Sequence, residues 1–228
     1  MKKVGIIGGI GPASTLDYYT GIINGHMSRT KDGNYPEIVI NSVNMTEMLS
    51  CIQNEDWDAV TDMLVSAIDE LSNAGADFAA IASNTPHIAF DAILARSSLP
   101  LISIVEETCR YAESKGCGKA VVIGTRFTMS SGLYTKALGK YGIDAVVPSA
   151  AEQDIIHGAI FPNLENGIVV PEDKEKILTI ANRLITEHKA DALILGCTEL
   201  PLMIKDGDLE TPILNATQIH IDSIIEHI

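Results

Sequence analysis

Basic residues are scarce in this chain: 16 Lys and Arg stand against 30 Asp and Glu, a formal net charge of −14. Non-specific affinity for nucleic acid comes from Lys and Arg clustered on phosphates, so no nucleic-acid partner is expected. Apolar runs are short, and none approaches the roughly 18 residues that cross a bilayer, so no membrane partner is expected either. The opening stretch MKKVGIIGGIGP is broken by glycines and Pro12 too early to read as a secretory signal. The four cysteines (Cys51, Cys109, Cys117, Cys197) form no C-x-x-C pair and have no histidine at zinc-ligand spacing. Neither a disulfide framework nor a metal site is expected, and free thiols point to a reducing, cytoplasmic compartment. Nucleotide signatures are also missing. Gly8-Gly9-Ile10-Gly11 lacks the G-x-G-x-x-G spacing and reads as a tight turn, and no G-x-x-x-x-G-K-[ST] occurs.

What the chain does have is apolar content: 46% of its 228 residues are hydrophobic, enough for one large domain or two small lobes. Short β-branched runs alternate with helical patterns. Strands are expected at 3–8, 37–43, 77–82, 101–104, 120–123, 144–147, 192–195 and 212–214. Helices are expected at 13–28, 57–74, 106–114, 133–140, 172–187 and 218–226, with a loop-rich stretch before residue 172. In the 57–74 helix, Val60, Leu64, Ala67, Ile68 and Leu71 fall on one face, and Gly75 supplies the stop. Strands that alternate with helices predict an α/β fold with parallel sheets.

An internal repeat refines this picture. Ala76-Asp77-Phe78-Ala79-Ala80-Ile81-Ala82-Ser83 lines up with Ala190-Asp191-Ala192-Leu193-Ile194-Leu195-Gly196-Cys197, and Ile7-Gly8 lines up with Ile123-Gly124. The offsets are nearly equal, which predicts two pseudo-symmetric lobes with Ser83 and Cys197 at equivalent strand ends. Chance likeness between two buried strands is the competing reading.

Ligands of open parallel sheets bind beyond the carboxyl ends of the strands. Four loops lie at such ends: Gly8 to Gly11, Ser83-Asn84-Thr85, Gly124-Thr125-Arg126 and Gly196-Cys197-Thr198-Glu199. Small residues and hydroxyls let a ligand approach backbone N–H groups there, and helix starts favour an anion. Cys197 is the expected chemical cysteine, because a following helix would lower its pKa; the other three read as structural. Ser83 is either its partner or a cap for the next helix. His87 could bind a ligand, orient Asn84, or pack as a satisfied half-buried side chain. His157, His188, His220 and His227 are expected on the surface. Glu199 either tunes Cys197 or sits solvated in a first turn.

The set Ala82-Ser83-Asn84-Thr85-Pro86-His87, Gly196-Cys197-Thr198-Glu199, Gly8 to Pro12 and Gly124-Thr125-Arg126-Phe127-Thr128 resembles the aspartate/glutamate racemase family across essentially the whole chain. The resemblance implies two lobes, each a parallel sheet flanked by helices, with the active site between them, divided as 1–103 plus 208–228 and 104–207. It implies an amino-acid racemase, working as a homodimer and without pyridoxal phosphate or any other cofactor. Two side chains, Ser83 and Cys197, would exchange protons on opposite faces of the substrate Cα. Gly9, Ile10, Asn84, Thr85, Thr125, Thr198 and Glu199 would hold the amino-acid substrate. Relatives carry Cys or Thr where this chain has Ser83, which leaves open an impaired or substrate-trapping form. Archaeal-type aspartate racemases use an Arg and a Lys for the side-chain carboxylate, whereas residues 46–53 and 161–170 here contain neither. Relatives with Thr at the first position use a Gln near the place of Ile52, which makes Ile52 a substrate-side position. Arg126 offers a charge to the ligand or belongs to the surface. Two other functions fit one thiol: a decarboxylase or isomerase of small diacids, and an amino-acid-binding protein without catalysis.

Overall fold

A computed structural model describes all 228 residues. The elements run β1 (Val4–Gly8), α1 (Pro12–Thr30), β2 (Ile38–Ser42), α2 (Met45–Gln53), α3 (Trp57–Asn73) and β3 (Phe78–Ile81). A 3-10 turn (Thr85–Ala89) then leads to α4 (Phe90–Arg96), β4 (Leu101–Ile102), α5 (Ile104–Ser114) and β5 (Lys119–Gly124). The remainder is α6 (Arg126–Ser130), α7 (Leu133–Gly139), β6 (Asp144–Val146), α8 (Ala150–Ile160), a 3-10 turn (Leu164–Asn166), α9 (Pro171–His188), β7 (Ala192–Gly196), α10 (Leu200–Met203), β8 (Ile213–Asn215) and α11 (Ala216–His227).

The strands form two four-stranded sheets, ordered β2-β1-β3-β4 and β6-β5-β7-β8, and every pairing is parallel. The two orders are the same topology, so β1 corresponds to β5 and β3 to β7, as the repeat predicts. In each sheet the chain leaves the two central strands in opposite directions. That reversal opens a crevice at their carboxyl ends, where parallel sheets take ligands. The crevice of the first sheet is flanked by the residues after Gly8 and Ile81, and that of the second by those after Gly124 and Gly196.

The chain divides into two compact units, 1–104 with 220–228, and 105–219. The expected division places 208–219 with the first lobe; this is corrected, because β8 hydrogen-bonds to β7 and so belongs to the second sheet. In the first unit, Val4, Ile6, Phe78, Ala80 and Ile102 pack on one sheet face against Tyr18 and Ile22 of α1 and Ile221, Ile224 and Ile225 of α11. In the second, Val121, Ile123, Leu193 and Leu195 pack with Ile156 and Ile160 of α8 and Ile177, Ala181 and Leu184 of α9. Each of the larger aliphatic side chains contributes about 1.5–3 kcal/mol on burial, set against the entropy of ordering the chain.

Local signals explain the element ends. Asp56 caps α3 by accepting the Ala59 N–H at 3.0 Å, and Gly75 ends it in the left-handed region at φ 86°. Helices α8 and α2 depart from the expectation. The stretch before residue 172 is not all loop, since α8 occupies Ala150–Ile160 behind a capping box in which Ser149 and Glu152 satisfy each other. That Ser-x-x-Glu signature is present in the sequence and marks a helix start. Helix α2 is also unexpected; Asn44 caps it through the Thr46 N–H. The strand expected over 101–104 ends at Ile102, and Ile104 opens α5.

Candidate active site

In the first unit, the loop after β1 is held by a residue that sequence reasoning does not single out. The Thr15 hydroxyl accepts the Gly9 N–H at 2.9 Å and donates to the Gly11 carbonyl at 3.1 Å, folding the loop over the start of α1. Gly9 sits at φ 81°, and a Cβ there would lie 2.4 Å from the Val43 carbonyl oxygen, so only glycine fits. Ile10 is buried beside it.

The loop after β3 carries Ser83, which is 8% exposed, and the buried Asn84. Ser83 is not a cap: Asn84 holds the cap position of the 3-10 turn, no side chain closes it, and Pro86 falls in its first positions, where its missing N–H costs nothing. Beneath this loop lies a buried polar layer. Ser14 of α1 donates to the Ala82 carbonyl at 3.2 Å. The Nε2 of His220 lies 3.0 Å from the Ile102 carbonyl, an acceptor only, so Nε2 carries the proton and Nδ1 accepts from the Tyr18 hydroxyl at 2.7 Å. The surface position expected for His220 is corrected, since it is fully buried. Burial and the neighbouring His87 push its pKa down to about 3. His87 is buried too, and its pKa is lowered to about 4, chiefly by desolvation. Ile52 lies on the buried side of α2.

In the second unit, Cys197 follows β7 and is 4% exposed. Its thiol donates to the Glu199 Oε2 at 3.0 Å, and the Thr198 hydroxyl donates to the same oxygen at 3.0 Å. Glu199 is itself buried, not solvated. The lowered pKa expected for the thiol is corrected. Burial, then the charge and hydrogen bond of Glu199, raise it well above the ordinary value, and the backbone of Glu199 and Leu200 offsets only part. Helix α10, at four residues, is too short to supply the expected dipole. Packing matters as well, because Cys197 belongs to the apolar cluster that holds Leu195, Leu200 and Met203.

Thr125 caps α6 through the Thr128 N–H at 3.3 Å. Arg126 is half exposed and pairs with Asp154 at 2.7 Å, so it belongs to the surface. Glu165 is a residue that the sequence does not mark. It stands on the Leu164–Asn166 turn, and burial together with the charge of Glu199 lifts its pKa to about 7. A half-buried acid in a polar stretch leaves no pattern that periodicity or spacing reveals. No group of three or more His, Cys, Asp or Glu side chains is placed to hold a metal.

Two parallel sheets of one topology carry a buried thiol and carboxylate at one strand end and a hydroxyl at its counterpart, and comparison with known proteins places the chain among amino-acid racemases, enzymes of the isomerase class. Residues 7–224 match the model of the Asp/Glu/Hydantoin racemase family, and the chain belongs to that family. It is 27% identical to the broad specificity amino-acid racemase RacX of Bacillus subtilis over 224 residues, covering 94% of this chain and 92% of that one. Among solved structures, an aspartate racemase homologue from Pyrococcus horikoshii is 35% identical with a TM-score of 0.87, over 100% of this chain and 99% of that one. An aspartate racemase from Picrophilus torridus is 26% identical with a TM-score of 0.79, over 100% and 94%.

Proposed function

We propose that this protein racemises aspartate, glutamate or a closely related free amino acid by two-base proton transfer at Cα, without pyridoxal phosphate. Cys197 serves one face of the carbon and Ser83 the other. The observation that carries the reading is the hydrogen bond from the Cys197 thiol to Glu199. A thiol at its raised pKa is a poor base until something takes its proton, and an adjacent carboxylate is suited to that. Glu199 accepts the thiol proton, the thiolate removes the α-proton, and Ser83 delivers a proton to the opposite face. Glycine-lined backbone at Gly9-Ile10 and the polar groups of Asn84, Thr85, Thr125 and Thr198 would hold the α-carboxylate and ammonium.

The test is proton NMR of L-aspartate and of L-glutamate in D₂O with the full chain. The α-proton signal is expected to fade, and Cys197→Ala is expected to slow that exchange by at least about 100-fold. Undiminished exchange by Cys197→Ala would overturn the mechanism. Release of carbon dioxide in place of exchange would identify a decarboxylase, and saturable binding without either a binding protein.

A further inference from the structure

Ser83 poses a chemical problem that Cys197 does not. An alcohol neither takes nor gives a proton near neutral pH unless a second group accepts or supplies one. Glu199 stands beside the thiol, but no carboxylate plays that part in the turn after β3. The titratable side chain of that turn is His87, four residues after Ser83. It is 3% exposed, and neither ring nitrogen has a hydrogen-bond partner. The backbone of Ser83 and Asn84 acts on the ring and favours its protonated form. Its ring stacks on Phe90 at 4.9 Å with an interplanar angle of 10°, which fixes its plane. From α11, His220 acts on it electrostatically, and His220 is already committed to Tyr18 and Ile102. Buried polar nitrogens are nearly always paired, so two idle ones beside a proposed site ask for a task.

We propose that His87 is a positioning residue that acts through Ser83, taking the hydroxyl proton when the Ser83 oxygen removes the substrate's α-proton and returning it when Ser83 acts as the acid. This inference rests on the racemase reading. The protons balance in both directions. With His87 neutral and Glu199 protonated, the Ser83 oxygen takes the α-proton while its own proton passes to His87. Cys197 then gives its proton to the opposite face of the carbon and is reprotonated by Glu199. The cycle ends with an imidazolium at His87 and a carboxylate at Glu199, which is the starting form for the opposite enantiomer. No external oxidant, reductant or co-reactant enters.

The experiment compares four full-length proteins: the unaltered chain, His87→Gln, Ser83→Cys, and the two substitutions together. Each is given L- and D-aspartate and L- and D-glutamate in D₂O, and α-proton exchange is followed with kcat and KM separated. A thiol at position 83 is acidic enough to exchange protons with less help, so it relieves the need for His87. His87→Gln is expected to lower kcat by at least about 100-fold with KM little changed in the Ser83 protein, and by less than about 5-fold in the Ser83→Cys protein. Equal losses in the two backgrounds would show a purely structural role and overturn the inference while leaving the racemase reading intact. If Gln at position 87 weakens folding, His87→Phe keeps a stacking ring, removes both nitrogens and serves the same comparison. Absence of exchange by both the unaltered chain and Ser83→Cys would overturn the racemase reading and this inference with it.

Discussion

The Cys197 thiol and the Glu199 carboxylate, two residues apart on the loop that ends β7, share a hydrogen bond of 3.0 Å in a buried setting. The carboxylate raises the thiol's pKa, and in the proposed mechanism it also receives the thiol's proton. Glu199→Gln separates these effects. With the negative charge gone, alkylation of Cys197 by iodoacetamide, read by mass spectrometry of its peptide, is expected to begin at lower pH. Exchange at Cα is expected to fall by about 100-fold or more, because the thiol loses its proton acceptor. Faster alkylation with slower turnover is the signature; slower alkylation would overturn the assignment.

The paired burial of His87 and His220 makes stability depend on pH. Both imidazoles have folded pKa values below the ordinary 6.5, about 4 and about 3. Between those values and 6.5 the unfolded chain binds more protons than the folded one, so stability rises with pH across that window and is fully present above it. Each histidine contributes up to about 1.4 kcal/mol per pH unit there. Urea unfolding at pH 7.5 and pH 5 is expected to show a clear loss at the lower pH. Replacing His220 by Gln is expected to flatten the dependence.

Glu165 runs the other way. Its pKa, raised from 4.5 to about 7 by burial and by Glu199, makes the folded state bind its proton more tightly. Its contribution is present below pH 4.5 and is lost as pH rises through about 7. Carbon-13 NMR of the Glu165 carboxyl is expected to titrate near 7 in the unaltered protein and at lower pH in Glu199→Gln. Glu165→Gln is expected to steepen the rise of stability between pH 4.5 and 7, since the opposing contribution disappears.

Tyr18→Phe deletes the hydroxyl that donates to His220 Nδ1 and leaves that nitrogen buried without its donor. A cost of about 1–3 kcal/mol is expected, measured by denaturant midpoint. Gly9→Ala strains a backbone at φ 81° and drives a Cβ toward the Val43 carbonyl. A loss of about 1–3 kcal/mol is expected, with distortion of the loop after β1.

Several elements are legible in the sequence. The run Val60, Leu64, Ile68, Leu71 marks α3, and the buried runs at 120–123 and 192–195 mark central strands, because period and apolarity are local properties of the chain. The repeat that pairs Ser83 with Cys197 is visible because two copies of one supersecondary pattern keep their spacing. Helix α8 is harder to see, although Ser149 and Glu152 signal its start, because its apolar periodicity is weak beside that of α3.

Other features are not in the sequence to be read. The pKa of Cys197 follows from how deeply the chain buries it and from which Glu199 oxygen turns toward it, and both depend on packing among Leu195, Leu200 and Met203. His220 reads as a surface residue in a polar carboxyl-terminal helix, yet it lies under the Ser83 loop with Tyr18, 202 positions away in the chain. The coupling of Glu165 to Glu199 likewise joins two segments that no periodicity links. The sequence by itself determined the alternation of strands and helices, their doubling into two like sheets, and the residues at the strand ends, because these rest on propensity and local pattern. The tertiary structure alone decided which of those residues are charged, which are neutral and what each touches, because desolvation and Coulomb interaction are set by distance in space and not by distance along the chain.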